Sequence, residues 1–287
     1  MSEPGNSLPG VSPIDSSDPT IARGRRSLAL SPSRASDFRQ CPLLYRFRAV
    51  DRIPETPSVA QVRGTLVHSV LEELYGLDAP ERERARAEAM VGPAWAAMAA
   101  ADPTLDALVG DGERAGFLSD AMALVANYYT MEDPTRFEPE SCELRVEAVL
   151  PDGTKLRGFV DRIDIAPTGQ MRVVDYKTGK SPHERYQAQA LFQMKFYALL
   201  IFRTRGVIPD QLKLMYLADA QNLTLAPQEE ELLSFERTLS AIWQTILAAG
   251  VTGDFQPTPS KLCDWCDHKQ RCPSFGGTPP PYPGWPE

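Results

Sequence analysis

Asp161, Asp175 and Lys177 are the residues of this chain whose types and spacing could do chemistry. Two β-rich runs, Lys155 to Ala166 and Met171 to Lys177, flank a Pro167-Thr168-Gly169-Gln170 turn and read as an antiparallel hairpin. Asp161 and Asp175 each lie seven residues from Thr168. Folding about that turn sets them opposite one another, within about 5.5 Å. Alternation along the strand points Val173, Asp175 and Lys177 one way and Val174 and Tyr176 the other. Carboxylates that close repel, and either a raised pKa or a bound cation relieves them. Mg²⁺ accepts one or two carboxylates, keeps several waters and takes substrate phosphate oxygens. It also acidifies water, and a neighbouring ammonium can steady charge developing on phosphorus. The chemistry implied is hydrolysis of a phosphodiester. For Asp-x-Lys alone the competing reading is a surface pair worth about 0.2–1 kcal/mol.

The flanking elements must position these groups. A strand from Cys142 to Leu150 passes through the Pro151-Asp152-Gly153 turn into the hairpin. Val62, Leu66, Val67, Val70, Leu71 and Leu74 follow a helical period from Val59 to Leu77, on a helix that carries His68 and Glu72. Gln187 to Arg203 is an amphipathic helix with Gln193 and Tyr197 one turn apart. Gln211 to Leu217 then forms a strand that a helical crossover sets parallel to the last hairpin strand. Ser31 and Pro32 start a helix running through Phe38 to Cys41-Pro42, with Tyr45 and Phe47 packing inward. Helices over 81–101, 111–129 and 227–249 complete an α/β domain in which a mixed sheet is flanked by helices.

Gly158-Phe-Val-Asp161 followed by Asp175-Tyr-Lys177 resembles the PD-(D/E)xK nucleases, and most of all their RecB-type branch. Gly64-x3-His68 and Gln193-x3-Tyr197 match two further elements of that branch, in the same order. The resemblance implies a restriction-endonuclease-like core. In it His68, Asp161, Asp175 and the Tyr176 carbonyl hold Mg²⁺ or Mn²⁺, and Lys177 positions the attacking water. Gln193 would stand near the ligands and Tyr197 towards the DNA backbone. Imidazole favours manganese over magnesium. The activity implied is an exonuclease on single-stranded or end-bearing DNA in recombination and repair. Gly179-Lys180-Ser181 does not make a phosphate loop, because Val174 stands where its first glycine belongs. A helicase partner would therefore be a separate chain. The rival is a catalytically silent module of the same fold that binds DNA or a protein, and its expected mark, a broken motif, is not seen.

Four of the five cysteines form a pattern, Cys41 with Cys263-x2-Cys266-x5-Cys272. Cys-x2-Cys in a reducing compartment reads as metal binding, and four thiolates suit Zn²⁺ or a [4Fe–4S] cluster. Cys41-Pro42 and Cys272-Pro273 add the Cys-Pro juncture of iron–sulfur sites. The one-plus-three split resembles the iron–sulfur clasp of AddB-type nucleases, which leans the reading towards the cluster, with zinc the alternative. Cys142 is left as a small core residue.

The 287 residues, 43% hydrophobic, suffice for one large domain. We expect a disordered arm over 1–27 and a nuclease domain over 28–275. A helical insertion over 81–131 interrupts that domain, and a disordered tail follows over 276–287. No run suggests a membrane span or secretory leader, so the expected location is cytoplasmic. A net charge of −8 argues against a broadly basic nucleic-acid face. Residues 21–50 are the exception, holding Arg34, Arg39, Arg46 and Arg48 among seven arginines against Asp37 alone.

Overall fold

The computed structural model describes residues 28–183 and 187–285. The arm over 1–27 lies outside the described residues. Among the described residues no helix is long and apolar enough to cross a membrane.

Five strands form one sheet in the order β1 (Ser141–Val149), β2 (Lys155–Ile165), β3 (Met171–Lys177), β4 (Gln211–Tyr216) and β5 (Gln221–Leu225). β3 and β4 run parallel and the other neighbours antiparallel. The mixed sheet with a parallel crossover is the expected one; β5 was not foreseen. The β2–β3 turn places Gly169 at φ 91°, where a side chain would be strained. It delivers the register Arg162↔Val174, the last paired rung, and leaves Asp161 and Asp175 as neighbours just past it.

Each face of the sheet buries its own core. On one side α1 (Pro32–Gln40), α2 (Pro42–Tyr45), α7 (Gln187–Arg205) and α8 (Glu229–Thr252) cover Val146, Leu156, Val160, Val173 and Leu212. On the other, α3 (Val59–Tyr75), α4 (Arg84–Ala101), α5 (Thr104–Val109) and α6 (Arg114–Met131) cover Val174, Tyr176, Met215 and Leu217. α1 starts as its sequence dictates, with Ser31 Oγ accepting from Arg34 N at 3.3 Å and Pro32 in the first turn. Ser58 and Gln61 cap α3 reciprocally. Just before α1, Leu30 pairs with the edge of β2 beyond the end of β3. α7 approaches β2 so closely that a Cβ on Gly158 would stand 2.8 Å from Leu200 Cδ1.

The tail needs correction. Residues 276–285 do not hang free: Tyr282 Oη donates to the Gly250 carbonyl at 2.6 Å, Arg46 donates to the Pro280 carbonyl, and Trp285 packs on Trp243. Its Pro/Gly-rich composition hid two aromatic anchors.

Candidate active site

The sheet changes faces where the site forms. Along β1, Leu144, Val146 and Ala148 enter the first core, whereas Cys142 packs against the second. Along β2, Val160 and Ile163 share the first core although strict alternation would separate them. Both switches fall on one rung, bracketed by Cys142↔Arg162 and Leu144↔Val160. On that rung Glu143 stands opposite Asp161. Glu143 adopts φ 45°, a left-handed conformation costing a glutamate about 1–3 kcal/mol. The irregular rung withdraws both carboxylates from the cores and turns them towards α3.

His68 meets them from α3. Its Nδ1 lies 3.6 Å from Asp161 Oδ2 and 3.7 Å from Glu143 Oε1, and its Nε2 is 3.1 Å from the Tyr176 carbonyl oxygen. One ligand atom each from His68, Glu143 and Asp161 lies within 4.8 Å of the other two. Tyr176 N donates to Asp161 Oδ2 at 2.7 Å, which fixes the carboxylate against the end of β3. Asp175, near the end of β3, is buried and only 1% exposed. Lys177 Nζ closes on Asp175 Oδ2 at 2.6 Å and donates to Gln193 Oε1 at 3.0 Å. Gln193 Nε2 in turn donates to Asp175 Oδ1 at 2.9 Å and to Tyr197 Oη at 2.8 Å.

The electrostatics of this cluster are unfinished. Burial, and after it the charge of Asp175, pushes the Asp161 carboxyl up to about 7. Burial opposes charging His68, yet Glu143, Asp161 and Asp175 together push its imidazole up to about 9. Burial and Glu143 also raise Glu72, further along α3. Three carboxylates thus face Lys177 and a histidine that must hold a proton to help. A divalent cation would supply the same positive charge without that proton. Hard carboxylate oxygens, a backbone carbonyl and one imidazole form a donor set suited to Mg²⁺ or Mn²⁺. The residues present fit such an ion.

Every residue singled out on the hairpin, α3 and α7 is brought to this region; Glu143 was missed. A signal for it existed. Glu143 and Asp161 each lie nine residues from Asp152, so the arithmetic that paired Asp161 with Asp175 also pairs it with Glu143.

The cysteines converge elsewhere. Cys41, Cys263, Cys266 and Cys272 line a single apolar pocket with Leu43, Phe47 and Pro257. Among the described residues no three of their sulfurs lie within 4.8 Å of one another. Cys142 packs half-buried against the second core, and burial pushes its thiol up to about 11.

Comparison with known proteins places these observations. The family description of the PD-(D/E)XK nuclease superfamily matches residues 29–273. The Gene 69 protein of Mycobacterium phage L5 is 31% identical over 127 residues, covering 43% of this chain and 41% of that protein. That match spans less than half of the L5 protein. The Gene 69 protein of Mycobacterium phage D29 is 25% identical over 272 residues, covering 85% of this chain and 96% of its own length. Among solved structures, a "Putative exonuclease" from Eubacterium rectale superposes with a TM-score of 0.56 at 14% identity, over 84% of this chain and 87% of that one, a likeness of fold.

Proposed function

The chain belongs to the PD-(D/E)XK nuclease superfamily, and from that premise we propose that it is a divalent-metal-dependent DNA nuclease of the RecB type, cutting single-stranded or end-bearing DNA. The observation that carries this reading is the pairing of under-compensated carboxylates with Lys177 in one small site. In this proposal His68, Glu143, Asp161, Asp175 and the Tyr176 carbonyl hold Mg²⁺ or Mn²⁺. The ion, when bound, neutralises phosphate charge and acidifies water. Lys177, steered by Asp175 and Gln193, orients the attacking water and faces the charge that develops on phosphorus. A phosphorus–oxygen bond to water forms, the bond to the leaving oxygen breaks, and that oxygen takes up the proton the water gives. Gln193 holds Lys177, Asp175 and Tyr197 in one hydrogen-bonded unit, so Tyr197 lies beside the path of the DNA backbone.

The proposal extends to the cysteines. A [4Fe–4S] cluster on Cys41, Cys263, Cys266 and Cys272 would clasp the end of α1 to the segment after α8. Support comes from the convergence of the four cysteines on one apolar pocket and from the two Cys-Pro junctures, with Zn²⁺ the alternative occupant. Residues 28–275 would then form one nuclease unit, with 81–131 inserted as a helical layer. Work in recombination and repair, beside a separate helicase, follows from the RecB-type reading.

Circular and end-labelled linear DNA, incubated with Mg²⁺, Mn²⁺ or EDTA, test the activity. Ion-dependent loss of the linear substrate while circles survive is the expected result. Purified, folded protein that cuts neither substrate with either ion would overturn the reading.

A further inference from the structure

A groove of about 600 Å³ opens beside the carboxylates, between the start of α1, the edge of β2 and α7. Gln193 and Tyr197 reach it from the site, so it is continuous with the chemistry. Its floor is the stretch of β2 from Arg157 to Phe159. Leu30 pairs beside Arg157, and β3 pairs with β2 only from Arg162 onward. Arg157 and Asp161 are four residues apart, a path of about 13 Å along a strand.

Two features of the groove point to a ligand. Arg34 and Arg157 both line it; Arg34 Nη1 donates to the Ala29 carbonyl at 2.8 Å, and among the described residues neither guanidinium is ion-paired with a carboxylate. Arg48, on the same wall, spends its charge on Asp37 at 2.6 Å and Glu55 at 2.8 Å. Burial, and next the nearby charge of Arg157, weakens Arg34's hold on its proton, which places the two guanidiniums in one field. Phe159 is 52% exposed, a phenyl ring left in water on a strand otherwise buried on its other face. Two guanidiniums without an ion-pair partner suit phosphodiester anions, and an exposed ring suits a nucleobase.

We propose that this groove holds a single strand of DNA leading to the carboxylates, with Arg34 and Arg157 on its phosphates and Phe159 stacked on one of its bases. The inference rests on the nuclease reading and deepens it by naming the form of the substrate. A duplex cannot offer the stacking face, because its bases are already stacked on one another; only an unpaired strand or a frayed end can. The strand therefore enters unpaired.

Binding is measured with a short fluorescein-labelled oligothymidylate and with a blunt duplex, in Ca²⁺ in place of Mg²⁺ so that binding is read without turnover. Phe159→Ala removes an exposed ring and leaves the cores untouched, and it should weaken single-strand binding about tenfold. Its effect on the duplex should stay below about twofold, since no stacking is lost there. Arg157→Glu should weaken the oligothymidylate and flatten its log–log salt dependence by about 0.7 for the phosphate contact removed. Unchanged single-strand affinity in both variants, or equal losses on strand and duplex, would overturn the groove. Wild-type protein that binds the oligothymidylate with this pattern but never cleaves would support the groove and fail the nuclease reading. Cleavage at wild-type KM by both variants would do the reverse.

Discussion

Asp161 and Arg162 are neighbours on β2, and each is the centre of a buried charged cluster, but the two clusters are built on opposite terms. Arg162 is completely buried and its guanidinium donates to Glu132, to Tyr75 Oη and, at 2.6 Å, to Tyr176 Oη, while Nε lies 2.9 Å from Asp164. Arg172 adds a second charge on Asp164 at 2.7 Å, and Lys213 stands 3.4 Å from Glu132. Burial would raise the Glu132 carboxyl, yet Arg162 and Lys213 overcome it and hold the group down at about 2. That cluster is complete. In the Asp161 cluster burial and a second carboxylate win, and the acid is pushed up to about 7. The difference separates a charge network that holds a fold from one that, in the proposed function, awaits a cation. The first also serves the second, since Tyr176 carries its hydroxyl into the Arg162 cluster and its amide and carbonyl into the other.

The largest way to break this contrast is through the chemistry. Lys177→Ala should lower the cleavage rate by about 10³-fold, as expected for losing a group that meets the developing charge. Its unfolding midpoint in urea should fall less than that of Arg162→Met, because the Lys177 side chain lies partly in solvent and Gln193 still donates to its buried partner Asp175. Wild-type turnover in the folded variant would remove Lys177 from the mechanism. Arg162→Met, in the complete cluster, should act the other way round. It leaves Glu132 and Asp164 buried without their main partner and should cost about 3–5 kcal/mol in urea unfolding. A loss under about 1 kcal/mol would show that the network is not holding the sheet.

pH sharpens the contrast. In EDTA, the raised acid of Asp161 contributes stability that is present below the ordinary carboxylate range and is lost as pH rises through about 7. His68 contributes stability present below its ordinary value and lost as pH rises through about 9. Glu132 has the opposite sign: its contribution is present above the ordinary glutamate value and is lost as pH falls through about 2. Unfolding in urea across pH should therefore decline on both limbs. Asp161→Asn should remove the near-neutral part of the alkaline decline and leave the acid limb in place. An alkaline limb that Asp161→Asn leaves unaltered would assign the burial cost elsewhere. The smallest effect is Glu143→Gln, which keeps the shape of the side chain and should weaken Mn²⁺ about tenfold. Equal affinity in calorimetry would reduce Glu143 to a bulge residue.

Much of the site was legible because hairpin register is arithmetic about a turn. Thr168 and Gly169 fixed Asp161 against Asp175, and the 3.6-residue period of α3 and α7 carried His68, Gln193 and Tyr197 to the same end of the sheet. Glu143 escaped because strict alternation describes β1 only as far as Leu144, and nothing in Cys142-Glu143-Leu144 announces a left-handed glutamate. The Arg162 cluster was invisible for a different reason. Its partners come from α3, the loop after α6, β2, β3 and β4, and long-range charge pairing leaves no periodic trace. β5 and the tail were missed because their order is conferred by pairing and packing against neighbours and not by their own composition.

Calorimetric titration of Mn²⁺ into wild type, Asp161→Asn and Lys177→Ala tests most directly whether the unfinished cluster is a cation site. The account predicts saturable binding by wild type, binding retained by Lys177→Ala without cleavage, and no specific binding by Asp161→Asn. Asp161→Asn protein that titrates like wild type would contradict it.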